Sequence, residues 1–301
     1  MTAVLRTEQL SKRFGDIAAV EALDLEVNEG DIFGFLGLNG AGKTTTLRMV
    51  LRLIRQDAGH VFLFGNDTDL TFLDAFARIG ALVESPAFYS YLTGRQNLSL
   101  LADLSGGVDP ARVQQALEEV GIAARADHRV RTYSQGMRQR LGIAQALVHR
   151  PRLVFLDEPT NGLDPHGITD VRNLIVRLNR EHGMTFVISS HLLYEVELIC
   201  NRIAVVRGGK LAVQGEVDRL LAEAGSKVRI VANPPERAEA ILAEKGVRVL
   251  ARGSDGAFEV ELSPERLAPL NGALVGAGVQ VSELSPKAIT LEEYFVRLHR
   301  T

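Results

Sequence analysis

Four positions in one short stretch carry the first chemistry of the sequence. Gly37, Gly42, Lys43 and Thr44 satisfy G-x-x-x-x-G-K-[ST] within GLNGAGKTT, residues 37–45. In such a loop the glycines let the backbone wrap closely around a polyphosphate, with N–H groups pointing inward. The lysine can reach the terminal phosphates, and the threonine hydroxyl can sit on Mg²⁺. Asn39, Gly40 and Thr45 belong to the same cradle. A second pair, Asp157-Glu158, closes the apolar run 153–156. An aspartate there can hold the water shell of a magnesium ion, and its neighbour can polarise an attacking water. Two carboxylates at a strand end are by themselves more often a solvated terminus. Joined to the glycine loop, they read as the acidic half of a site that hydrolyses a triphosphate.

The elements around these residues have the order such chemistry requires. Residues 31–36, DIFGFL, predict a short buried strand leading directly into the loop. Leu47, Val50, Leu51 and Ile54 then recur at helical spacing. Ser134 predicts the N-cap of a helix carrying Met137, Leu141, Ala144, Leu147 and Val148, which closes before Pro151. After Pro165 a helical pattern leads to Gly183, and TFVISS predicts another buried strand ending at His191. Apolar strands alternating with amphipathic helices predict an α/β core with a largely parallel sheet covered on both faces. The stretch 68–129 is rich in helical pattern, and a helical insert is expected at about 80–150. Beyond about residue 225 the order is βαββαβ plus a closing helix, with Ser254-Asp255-Gly256 as a hairpin turn. That order predicts a small α+β, ferredoxin-like second domain.

Composition narrows the class. A chain of 301 residues suits about two domains at ~100–200 residues each. With 46% hydrophobic and 24% charged residues it is an ordinary folded chain. Against 34 Lys and Arg stand 37 Asp and Glu, so no global basic field draws it to nucleic acid. The second domain is balanced too, with ten of each sign from 225 to 301. The lone Cys200 allows neither an internal disulfide nor a multi-thiolate metal site, and the other histidines show no metal spacing. No apolar run approaches the ~18–20 residues that cross a bilayer, and MTAVLRTEQL lacks the core of a signal peptide. The expectation is a cytoplasmic chain, peripheral to the membrane at most.

Over roughly residues 1–220 the sequence resembles the nucleotide-binding subunits of ATP-binding cassette (ABC) transporters. The resemblance rests on GLNGAGKTT, on LVFLDEP, on NGLD at 161–164, on the histidine of VISSH, and on YSQGMRQR from Tyr133. The last stands where the family has its Leu-Ser-Gly-Gly-Gln signature. It implies an ABC ATPase cassette with a mixed sheet core. ATP and Mg²⁺ would be held between two copies of the chain. Glu158 would be the catalytic base and His191 the sensor of the γ-phosphate. Ser134 and Gly136 would present a helix tip to the nucleotide of the opposite subunit, and Asp164 would touch the dimer partner. Phe14 would stack on adenine, while Thr44, Asp157 and Glu84 would lie on the metal side. The partners implied are a second nucleotide-binding subunit and separate membrane-spanning permease subunits.

Two departures refine the resemblance. Gln135 and Met137 replace the glycine and glutamine of the common signature, although the serine and second glycine survive. Glu84 stands where the family usually has a glutamine that touches magnesium. Its context, I-G-x-L-x-E-x-P-x-x-Y, is similar to exporters of the bacitracin and lantibiotic type. The domain organisation expected is 1–222 for the cassette and 226–301 for the accessory domain. The function expected is ATP-driven efflux of an antimicrobial peptide, antibiotic or drug. A soluble ABC-type ATPase acting on nucleic acid, on ribosomes or as a regulatory module is the alternative. A single phosphate loop, the absence of sustained heptads and the lack of a basic tract weigh against it.

Overall fold

The computed structural model describes residues 2–70, 72–104, 107–223, 225–253, 255–287 and 289–300. Two compact units divide the chain, 1–216 and 217–301.

The first unit opens with β1 (Ala3–Phe14) and β2 (Ile17–Asn28), a long antiparallel pair. Next, β3 (Ile32–Leu36) runs into the glycine loop and α1 (Lys43–Val50). Then β4 (Ala58–Leu63) and β5 (Asn66–Asp67) return to the first pair, giving a four-stranded sheet of order β2-β1-β4-β5. After α2 (Phe72–Phe76) come β6 (Ile79–Leu82), α3 (Gly94–Leu104), α4 (Pro110–Glu119) and α5 (Gln135–Leu147). The remainder is β7 (Leu153–Asp157), α6 (Pro165–His182), β8 (Thr185–Ser190), α7 (Leu193–Ile199), β9 (Arg202–Arg207) and β10 (Lys210–Glu216).

The second sheet has the order β10-β9-β3-β8-β7-β6, parallel throughout except for the antiparallel β10–β9 edge pair. Its central strands are buried on both faces, as continuous apolar runs require. The core joins both sheets through Phe33, Phe35, Phe155, Leu10, Leu23 and Met49. The expected insert begins inside this sheet, because β6 is a parallel strand paired with β7. Helix α5 packs close to β6, since a Cβ on Gly80 would lie 2.0 Å from the Ala146 carbonyl oxygen.

Sequence punctuation explains the long helices. Ser134 caps α5, accepting the Met137 N–H at 3.3 Å. Asp164 caps α6, accepting the Gly167 N–H at 2.8 Å, with Pro165 at the first helical position and the left-handed Gly183 at its end.

The second unit comprises α8 (Val217–Glu223), β11 (Lys227–Asn233), α9 (Pro235–Glu244), β12 (Arg248–Arg252), β13 (Phe258–Glu261), α10 (Leu267–Gly276), β14 (Gln280–Lys287) and α11 (Leu291–Arg300). Its antiparallel sheet runs β12-β13-β11-β14, the ferredoxin-like strand order, over a core that includes Ile230, Leu242, Phe258 and Leu274. Helix α8 lies before the sequence break at 222–226 and groups with this unit. Ser254, read as part of the hairpin turn, lies outside the described residues.

Candidate functional site

The glycine loop is fixed by what surrounds it. Gly42 precedes α1 at φ 103°, and a Cβ there would sit 2.5 Å from the carbonyl oxygen of Ala19 on β2, so a side chain is excluded on both counts. The Thr46 N–H is the first amide of α1 to reach a carbonyl, that of Gly42 at 2.9 Å. The N–H groups of Lys43, Thr44 and Thr45 have no acceptor within the helix, and together with the helix dipole they favour an anion. The Lys43 ammonium is buried. It donates to Gly37 O at 2.7 Å and to Leu38 O at 3.4 Å, and lies 3.7 Å from Glu158 Oε1.

The acidic half comes from the end of β7, and β8 beside it supplies Ser189 and leads to His191. Asp157 is buried and accepts from two hydroxyls, Thr44 Oγ1 at 3.0 Å and Ser189 Oγ at closer range. No cationic side chain among the described residues pairs with it. A hydroxyl beside a buried carboxylate is a hard oxygen donor set and fits Mg²⁺. Glu158 adopts φ +49°, a left-handed backbone that costs a residue with a β-carbon roughly 1–2 kcal/mol. Its N–H is held by Ser189, donating to Oγ at 3.0 Å and to the carbonyl at 3.1 Å. Its carboxylate lies between Lys43 and His191, with Oε2 2.7 Å from His191 Nδ1. Strained backbone held by surrounding bonds is typical of functional positions.

Asn39, Gly40, Gly42, Lys43, Thr44, Thr45, Glu158 and His191 line one cleft of about 270 Å³, joined by Ala19, Leu38 and Asn161. Gly37 stands behind it, where a Cβ would meet Val206 O at 2.5 Å. A second cleft of about 510 Å³ adjoins the same carboxylates and brings Glu84 together with Asp157, Glu158, Gln135 and Arg138. Glu84, also left-handed at φ +65°, forms an ion pair with Arg48 of α1. Neither cleft is lined by Phe14, Ser134, Gly136 or Asp164. Phe14 is half exposed, with Lys12 Nζ 5.6 Å from its ring centroid. Ser134 and Asp164 act as helix caps here, and Gly136 has no heavy atom nearer than 3.8 Å to an added Cβ.

Sequence reasoning missed three contributors. Ser189 donates to the Asp157 carboxylate and accepts the Glu158 backbone N–H, and the double serine before His191 was the available signal. Arg48 pairs with Glu84, and Ala19 closes the loop from β2. His60, without metal spacing in the sequence, lies near Asp67 and Asp69. The acids are already engaged there, Asp67 by His60 at 3.1 Å and Asp69 by Arg52.

Strand, glycine loop, helix and paired carboxylates at the end of a parallel strand define a phosphate-loop nucleoside triphosphatase. Residues 20–161 match the ABC transporter family. The chain is 38% identical to an uncharacterized ABC transporter ATP-binding protein, YdbJ, of Bacillus subtilis (strain 168), over 98% of this chain and 94% of that protein. It is 37% identical to the bacitracin transport ATP-binding protein BcrA of Bacillus licheniformis, over 99% and 98%. A solved ATP-binding subunit of an ABC transporter superimposes with a TM-score of 0.65 at 25% identity, over 73% of this chain and 93% of that one. The chain belongs to the ATP-binding subunits of ABC transporters. As such it binds and hydrolyses ATP to power transport. No helix among the described residues is long and apolar enough to cross a membrane.

Proposed function

We propose that this chain powers export of an antimicrobial peptide, antibiotic or drug through a separate membrane-spanning permease, working as an ATP-clasped dimer on the cytoplasmic face of the membrane. The likeness to a bacitracin transport ATP-binding protein along nearly the whole chain supports the cargo class. One observation carries the hydrolytic mechanism: the Glu158 carboxylate held between Lys43 and His191 at the mouth of the cleft.

In this mechanism the loop amides and Lys43 bind the β- and γ-phosphates. Thr44 and Asp157 would hold Mg²⁺, which would supply positive charge to offset that of the phosphates. Glu158 accepts a proton from the attacking water, and His191 orients that carboxylate through its Nδ1. Because Ser134, Gly136 and Asp164 line neither cleft of their own chain, they are assigned to the nucleotide of a second copy. Phe14, half exposed at the end of β1, takes the adenine. The loop after Glu84 receives the permease. Its Tyr89 and Tyr91 are exposed, with ring centroids 5.8 Å apart. In this reading the 226–301 segment is an accessory domain.

The test is Glu158→Gln. Loss of the base should leave ATP binding intact and trap a stable ATP-bound dimer, visible as a doubling of mass in size-exclusion chromatography with light scattering. Steady turnover at the parental rate would remove Glu158 from this role.

A further inference from the structure

Arg48 and Glu84 form an ion pair at the edge of the catalytic cleft. Arg48 follows Thr44 by four residues on α1, so the two side chains project from the same face of the helix, one turn apart. Thr44 contacts Asp157 on that face, and Glu84 shares a cleft with Asp157 and Glu158. Three carboxylates therefore converge on ground that must also receive a polyphosphate. The Glu84 charge is offset by Arg48 alone among the cations that pair with it in the described residues. Both partners are partly exposed, at 39% and 58%, which makes the pair weak and exchangeable. Glu84 also sits on left-handed backbone immediately beyond β6, where the exposed loop with Tyr89 and Tyr91 begins.

We propose that Arg48 is a positioning residue that latches the Glu84 carboxylate in the nucleotide-free chain and competes for it with magnesium-bound nucleotide. The proposal rests on the proposed function, in which Asp157 holds Mg²⁺, and takes Glu84, in the same cleft, as a second carboxylate on the metal side. Loading the cleft then draws Glu84 from Arg48 and shifts the start of the loop at 84–91. A single carboxylate thus has two alternative positive partners, one on α1 and one carried in with the nucleotide. The strength of the Arg48 pair sets how much magnesium is needed to move it.

The test is a Mg²⁺ titration of fluorescent ATP-analogue binding to the full-length chain and to Arg48→Gln, Arg48→Lys, Glu84→Ala and the Arg48→Gln/Glu84→Ala double variant. Hydrogen exchange over 83–91 in the nucleotide-free proteins is the second readout. Removing the latch should lower the half-saturating Mg²⁺ concentration about two- to five-fold, the range of an exposed ion pair. Arg48→Lys should restore the parental midpoint. Glu84→Ala should raise the midpoint, and adding Arg48→Gln to it should change nothing further. Exchange over 83–91 should quicken by a similar factor in Arg48→Gln and in Glu84→Ala. If Glu84→Ala raises the midpoint while Arg48→Gln leaves it alone or shifts it equally in both backgrounds, the latch is overturned and the metal-side role stands. A midpoint unmoved by Glu84→Ala overturns that role, and the latch with it.

Discussion

The hydroxyl of Ser189 accepts the backbone N–H of Glu158 at 3.0 Å while donating to Asp157, so one side chain on β8 sets both carboxylates at the end of β7. Ser189 is fully buried. Ser189→Ala is therefore expected to lower ATP turnover by about 10–100-fold, the usual cost of losing a group that orients catalytic ligands. Equilibrium binding of a fluorescent ATP analogue should change little. Steady-state hydrolysis measured beside that titration checks the split.

Lys43 is the one buried cation of the loop, and its charge-assisted bonds strengthen once anionic phosphate replaces the neutral carbonyls. Lys43→Ala should weaken nucleotide binding by about 100-fold or more, as two such bonds at ~1.5–3 kcal/mol each imply. Titration with a fluorescent ATP analogue measures this, and an unchanged Kd would contradict the assignment.

Phe155 on β7 is completely buried in the core between the two sheets, two residues before Asp157. Phe155→Ala should cost about 3–5 kcal/mol of stability, a transfer loss plus a cavity. Urea unfolding followed by circular dichroism reads it as a lower midpoint.

Cys200 is buried, and burial pushes its thiol pKa up. The native chain should resist a thiol reagent that labels the urea-unfolded chain fully. The folded pKa is raised, so the thiol's contribution to stability is complete below the unfolded value of about 8.5 and is lost as pH rises above it. Compared with Cys200→Ala, the parental chain should therefore lose extra stability in urea unfolding at pH 10 relative to pH 8.

The catalytic half of the first unit was legible because its chemistry is local. Gly37 to Thr45 and Asp157-Glu158 are contiguous, and the strands that deliver them are unbroken apolar runs. The antiparallel sheet was not legible. The β1–β2 pairing shifts register between Thr7 and Leu10 and again before Lys12, with Gln9 and Ala22 at positive φ. Those irregularities erase the two-residue alternation by which a half-buried strand is recognised. Only four residues long, β6 carries too little pattern to stand out among helices. The Arg48–Glu84 pair joins residues far apart in sequence, and no spacing rule reaches that far.

Lys43 already rests on the Gly37 carbonyl at 2.7 Å, inside a loop whose shape is locked by β2 and β9. Its flexible stem is thus immobilised ahead of any encounter with substrate, so capture of the triphosphate amounts to trading a neutral acceptor for an anionic one. A handover of that kind carries little entropic penalty in either direction. It suits a motor that must reload and discharge with every stroke.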